Sequence, residues 1–270
     1  MTTITGNARL CERPMNDLLN AFDEIGVAYK CEVKSGCLPV TVSGSTPTTR
    51  SWSVNGGVSS QFVSSLLLFA AQQQGSQPID VTVTGQMVSR SYLNMTVSMM
   101  RTCGIDIAFD GDRRFTIVPG VPNKSEIFIE VDASGMSYLL TAAAITGSTV
   151  VIPGIGRDSV QGDVGLVEAY RQMGCSVTLE KDQIILTGGE LRGVDIDMDQ
   201  MPDVVLSLAI AATQASSPTR IHNIGNLRVK ECDRIAAIEN ELTRLGIPVK
   251  AGTDWIEIQP GRPNPSVTVH

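Results

Sequence analysis

The chain has 270 residues, 42% hydrophobic and 18% charged, a globular composition with enough length for one large domain or two moderate ones. Its formal net charge of -7 argues against a broad nucleic-acid or anionic-membrane footprint, which needs clustered positive charge, but leaves room for a local basic pocket. No apolar run nears the roughly 20 residues that cross a bilayer, so a membrane span is excluded, and with aromatics at 4% the core must be aliphatic.

The start, MTTITGNARL, lacks the apolar stretch of a signal peptide. Six cysteines (Cys11, Cys31, Cys37, Cys103, Cys175, Cys232) are scattered without a C-x-x-C pair, which points to a reduced, cytoplasmic protein. The closest pair, Cys31 and Cys37, makes a poor metal site, because only His222 and His270 are available to complete it.

Along the chain one layout recurs. Four helices, LLNAFDEIGVAYK, SMMRTCGIDIAF, AYRQMGCSVTL and ELTRLGIPVK, end in Gly26, Gly104, Gly174 and Gly246, spaced 70 to 78 residues apart. A strand pair closing in VTVSG, FTIVPG, IILTGG or IEIQPG follows each. Upstream, three segments share a strand, a polar turn and a strongly apolar helix: SWSVNGGVSSQFVSSLLLFAAQ, IFIEVDASGMSYLLTAAAITG and VDIDMDQMPDVVLSLAIAATQ. A full unit therefore reads βαβαββ, and its first helix, apolar nearly all round, is expected to be buried. The chain begins mid-unit, with half a unit, a full unit to about Gly120, and two more to about Gly261; a fragment of a longer protein is the favoured reading.

The turn before each second helix contains Arg, as in GNARLCERPM, GQMVSRSYL, GIGRDSVQG and GNLRVKECDRI. A helix N-terminus with unpaired N–H groups and an adjoining cation suits phosphate or carboxylate, although solvated caps explain any single turn as well. In the fourth turn Lys230, Glu231 and Arg234 fall at i, i+1 and i+4 of an expected helix start, so that Lys230 and Arg234 share a face. Glu231 between them is either a structural ion-pair partner or a proton-transfer group. Ser59 and Ser60 stand at another helix start; capping explains one serine, less readily two followed by Gln61. Asp203, before the helix VVLSLAIAA, is a cap or, facing a cleft, a candidate base.

These residues resemble a known family, the 5-enolpyruvylshikimate-3-phosphate (EPSP) synthases. The resemblance runs over essentially the whole chain through ERPM, VSSQF, VSRSYLNMT, MPDVVLSLA and NLRVKECDRI, in that order. The wording of RVKECDRI and VSSQFVSSLL looks closest to the region within the fungal pentafunctional arom polypeptide. The resemblance implies an α/β fold of two lobes built from βαβαββ units, an inside-out α/β barrel with substrates between the lobes. Here both lobes are incomplete, residues 1–127 forming the first (one and a half units) and 128–270 the second (two units). It implies transfer of the enolpyruvyl group of phosphoenolpyruvate to the 5-hydroxyl of shikimate 3-phosphate, with no metal or organic cofactor. Ser59, Ser60, Gln61, Ser89, Tyr92, Asp203, Asn226 and Lys230 would hold shikimate 3-phosphate, and Arg13, Gln61 and Arg234 phosphoenolpyruvate. Asp203 would accept the hydroxyl proton, and Glu231 would serve proton transfer to the methylene.

Three departures accompany it. The family's GSKS and NAGT motifs and its late NDHRM motif and Lys are absent from this chain, removing cations that stabilise charge in the transition state. DASGMSY carries Gly135 and Met136 where the family has a second serine and a small residue. Two alternatives accordingly stand beside a transferase completed by other segments of a larger polypeptide: a non-catalytic shikimate-3-phosphate-binding module, and a transferase of the same fold acting on a UDP-sugar.

Overall fold

Where a helix turns back into a strand its last carbonyls need a residue in the left-handed region, which glycine enters without the steric cost of a Cβ. Gly26, Gly104, Gly174 and Gly246 stand there, with φ of 76°, 88°, 110° and 83°. The computed structural model describes residues 1–268, and after each of these glycines an antiparallel strand pair follows.

The chain divides into two compact units, Met1–Phe128 and Ile129–His270. The first opens with β1 (Thr2–Ile4), α1 (Ala8–Glu12), α2 (Asn16–Ile25), β2 (Tyr29–Cys31) and β3 (Val40–Val42), the strands ordered β1-β3-β2. A complete repeat follows: β4 (Ser51–Asn55), α3 (Ser60–Ala71), β5 (Ile79–Thr84), α4 (Arg90–Thr102), β6 (Asp106–Phe109) and β7 (Arg114–Val118). Its sheet runs β4-β5-β7-β6, and β4 and β5 are parallel with Asn55 opposite Thr84.

The second unit begins with α5 (Ala133–Thr146), β8 (Thr149–Pro153), a 3-10 turn at Gly162–Gly165, α6 (Leu166–Met173), β9 (Ser176–Leu179) and β10 (Gln183–Thr187), its strands ordered β8-β10-β9. Then come β11 (Asp195–Asp197), a 3-10 turn at Pro202–Val204, α7 (Val205–Ala212), β12 (Thr219–His222), a 3-10 turn at Gly225–Val229, α8 (Arg234–Arg244), β13 (Val249–Ala251) and β14 (Trp255–Ile258). This sheet runs β11-β12-β14-β13, with β11 and β12 parallel and Asp197 opposite His222. The two four-stranded sheets share one topology, and the three-stranded sheets repeat it without the first strand.

One expected strand does not form. IFIEV (127–131) joins no sheet among the described residues. Its polar groups have other partners: the Val131 N–H donates to Gly154 O, the Val131 carbonyl accepts from Gln161 Nε2 at 2.8 Å, and Glu130 accepts from Ser159 and Gln161. The Asp132 side chain instead accepts from Ser134 N and caps α5.

Burial of the apolar helices is one-sided rather than all-round. In α3, Val63, Leu66, Leu67 and Ala70 pack into a core with Trp52, Val81 and Phe115, while Leu68 is exposed. In α5, Met136, Leu140 and Ala144 join Leu208, Tyr170 and Ile221 in the second core, but Tyr138, Leu139 and Ile145 face outward, as do Leu206 and Ile210 of α7. Sheet strands and a neighbouring helix cover the buried side of each such helix, and the outward side chains stay exposed among the described residues. Between α5 and α7 the buried hydroxyls are satisfied mutually, Ser137 with Ser207 at 2.7 Å, and Thr141 pairs with Tyr170 of α6 at 2.5 Å. Burial pushes the Tyr170 phenol and the Cys175 thiol up from their ordinary values.

Candidate functional site

Parallel pairing determines where polar side chains can gather. Two parallel neighbours release the chain at the same sheet edge, where ligands of α/β proteins commonly bind. In the first unit the turns after β4 and β5 are joined there: Gly56 N–H donates to Thr84 O at 3.0 Å and Val88 N–H to Gly56 O at 3.2 Å. α3 and α4 start from these turns and are linked one turn further on by Ser64 and Thr96 at 2.8 Å.

Ser59 is the N-cap of α3 and accepts from Gln61 N at 3.2 Å. Ser60 is buried and Gln61 exposed. Ser89 occupies the N-cap position of α4, without a side-chain capping bond, in a left-handed conformation (φ 52°) unusual for a residue with a Cβ, and is buried; Tyr92 lies within the first turn of α4, half-buried. Arg13 ends α1, and its guanidinium makes no hydrogen bond or ion pair among the described residues. Thus the structure brings Ser59, Ser60, Gln61, Ser89 and Tyr92 to one edge, and ties Arg13 to none of them directly.

The second unit repeats the arrangement at β11 and β12. Asp203 sits in the turn that leads into α7; no side chain caps that helix, and Asp203 Oδ1 instead accepts from Arg234 Nη1 at 2.7 Å. Lys230 Nζ lies 3.8 Å from the same oxygen. Arg234 also grips Glu231 by a two-point fork, Nε to Oε1 at 2.7 Å and Nη2 to Oε2 at 3.0 Å. Asn226 lies in the turn that precedes them, half-buried.

These contacts set the charges. The Arg234 bonds, with Lys230 nearby, hold the Glu231 carboxyl below its ordinary value. Partial burial alone would pull the Arg234 guanidinium down, but the Glu231 and Asp203 bonds outweigh it and leave it above its ordinary value. The edge therefore sets Lys230 and Arg234 against Asp203 and Glu231, a set suited to holding anions and moving protons.

The helical spacing expected of Lys230, Glu231 and Arg234 is corrected. α8 starts only at Arg234, because Asp233 caps it by accepting from Ala236 N at 3.0 Å; Lys230 is extended, at φ -77° and ψ -160°. Lys230 and Arg234 do not share a helix face. They converge on Asp203, 27 and 31 residues away in sequence.

The other arginines of the turns serve the scaffold. Arg90 bonds the Gly111 carbonyl and lies over the Phe109 ring, and Arg157 pairs loosely with Asp158. Two residues without an individual role in the sequence reading, Arg228 and Asp233, form an ion pair at 2.7 Å that spans the segment carrying Lys230 and Glu231; the signal was the capping position of Asp233. Among the described residues no group of three or more His, Cys, Asp or Glu side chains could hold a metal ion, and His270 lies outside those residues.

A model of the family described as EPSP synthase (3-phosphoshikimate 1-carboxyvinyltransferase) matches residues 1–269. The chain belongs to the EPSP synthase family. It is 37% identical over 261 residues to a 3-phosphoshikimate 1-carboxyvinyltransferase of Herminiimonas arsenicoxydans, and 36% identical over 260 to one of Shewanella amazonensis. Each alignment covers 96% of this chain but only 59% and 60% of the relative, so the chain spans about three-fifths of their length. An EPSP synthase structure from Acinetobacter baumannii superposes with a TM-score of 0.74 at 26% identity, over 97% of this chain and 60% of that one. The enolpyruvyl transferase NikO from Streptomyces tendae (TM-score 0.69, 18% identity, 95% and 60% covered) shares the fold. The α/β enolpyruvyl transferase fold is thereby established for this EPSP synthase relative, and no helix among its described residues is long and apolar enough to cross a membrane.

Proposed function

We propose that this chain carries the shikimate-3-phosphate-binding and proton-transfer groups of an EPSP synthase, acting in the cytoplasm on shikimate 3-phosphate and phosphoenolpyruvate. The observation that carries this reading is the convergence of Lys230 and Arg234 on Asp203, with Glu231 held by the same guanidinium. Ser59, Ser60, Gln61, Ser89 and Tyr92 at the first unit's helix starts, with Asn226 and Lys230, would hold the sugar phosphate through hydroxyls, amides and one ammonium. Arg13, Gln61 and Arg234 would take the carboxylate and phosphate of phosphoenolpyruvate.

In the reaction Asp203 would accept the proton of the 5-hydroxyl as that oxygen attacks the substituted vinyl carbon, while Glu231 serves the proton that the methylene gains. A tetrahedral adduct results, and loss of phosphate with return of a proton leaves the enol ether. Arg234 has five N–H donors and uses three on Glu231 and Asp203. A bound carboxylate that draws on this guanidinium weakens its hold on Glu231, whose affinity for a proton then rises, as proton donation requires.

The shared wording of VSSQFVSSLL and RVKECDRI supports kinship with the corresponding region of fungal pentafunctional polypeptides. Cations from other segments of such a polypeptide would complete the phosphoenolpyruvate site, and turnover by this chain alone is expected to be slow or absent. Calorimetric titration with shikimate 3-phosphate and, separately, UDP-N-acetylglucosamine tests the assignment: saturable heat with the first only supports it. Heat with the UDP-sugar only would transfer the reading to that substrate class. Phosphate release at the rate of an intact family enzyme would contradict the expected dependence on other segments.

A further inference from the structure

The segment 230–233 carries Lys230 and Glu231 yet belongs to neither a helix nor a strand. Its two ends are tied through Arg228 and Asp233. Arg228 donates through Nε to Thr253 O at 2.8 Å, through Nη2 to Gly252 O, and through Nη1 to Asp233 Oδ2 at 2.7 Å. Both carbonyls lie in the tight turn between β13 and β14, where Gly252 N–H closes on Trp255 O at 2.9 Å. The other carboxylate oxygen of Asp233 caps α8, whose first residue is Arg234. One planar side chain thus bolts a hairpin turn to the helix start that aims the site.

We propose that Arg228 is a positioning residue, fixing the path of residues 229–233 through Asp233 and the Gly252–Thr253 turn so that Arg234 reaches Glu231 and Asp203 together. This rests on the reading that Lys230, Glu231 and Arg234 form the working edge. A guanidinium suits the task because its three nitrogens lie in one rigid plane, whereas a lysine ammonium has no such fork. Without the clamp the segment samples other paths, the fork on Glu231 opens part of the time, and the cations no longer meet an anion at fixed spacing.

The test follows the Glu231 carboxyl by 13C NMR titration in the wild type and in Arg228→Ala, Arg228→Lys and Asp233→Asn variants, with thermal midpoints recorded for each. Asp233→Asn discriminates sharply. Asparagine still caps a helix, and removing a nearby negative charge would by itself lower the Glu231 midpoint, whereas loss of positioning raises it. The proposal predicts a rise of about half a pH unit in both Arg228→Ala and Asp233→Asn, with partial recovery in Arg228→Lys. It predicts shikimate-3-phosphate affinity weakened about tenfold in the first two.

An unchanged or lowered Glu231 midpoint in folded Asp233→Asn overturns the proposal, and that variant decides the matter where Arg228→Ala fails to fold. A wild type that binds no shikimate 3-phosphate counts against the proposed function. The Glu231 midpoints judge Arg228 in either case.

Discussion

Arg234 and Asp203, 31 residues apart in sequence, meet at 2.7 Å, and the same guanidinium holds Glu231 at two points. One side chain thereby links the turn before α7 to the segment before α8 and joins both carboxylates of the site. The Glu231 carboxyl is expected to titrate below the ordinary glutamate range. Since its folded value is depressed, the stabilisation it adds is present above the unfolded glutamate value and is lost as pH falls through the folded one. In Arg234→Gln the 13C midpoint of Glu231 should return toward the ordinary value; a midpoint that stays depressed would mean that another group holds it.

Two of the repeat-closing glycines separate conformational strain from steric contact. At Gly246 a Cβ would meet nothing within 4 Å, so Gly246→Ala carries only the cost of a left-handed alanine, about 1 kcal/mol. At Gly174 a Cβ would lie 2.6 Å from the Glu190 carbonyl oxygen, and the backbone must shift as well. Gly174→Ala should therefore lower stability in urea unfolding by clearly more than Gly246→Ala, and equal effects would contradict the contact.

The outward stripe of α5 and α7 gives a third expectation. Tyr138 and Ile210 are 70% and 47% exposed, and with Ile145 and Leu206 they border an apolar groove toward α8. An environment-sensitive apolar dye should bind there. Tyr138→Glu and Ile210→Glu should each reduce its fluorescence while changing stability by no more than about 0.5 kcal/mol. A large loss of stability in either variant would place these side chains in the core instead.

Much of the architecture was legible because its signals are local. Each glycine closes its own helix, and the recurrence of that unit every 70 to 78 residues exposed the repeat. The stretch 127–131 was misjudged because its β-rich composition says nothing of whether a sheet edge is available to pair with it. Lys230 was placed on a helix that begins four residues later, since the capping role of Asp233 shortens it. The meeting of Asp203 with Lys230 and Arg234 depends on the parallel pairing of β11 and β12, which no spacing in the sequence reveals. Only the family resemblance had put those residues in one site.

The central claim is that this chain retains the shikimate-3-phosphate groups of the EPSP synthase family, and calorimetric titration of that compound into the wild type and Lys230→Ala tests it most directly. Lys230 stands 3.8 Å from Asp203 at the site edge and lies outside α8, so its truncation removes a cation from the site and no residue of the helix. The account predicts saturable heat with the wild type and affinity at least about tenfold weaker in Lys230→Ala at an unchanged thermal midpoint. No saturable heat with the folded wild type, or equal affinity in the variant, would contradict it.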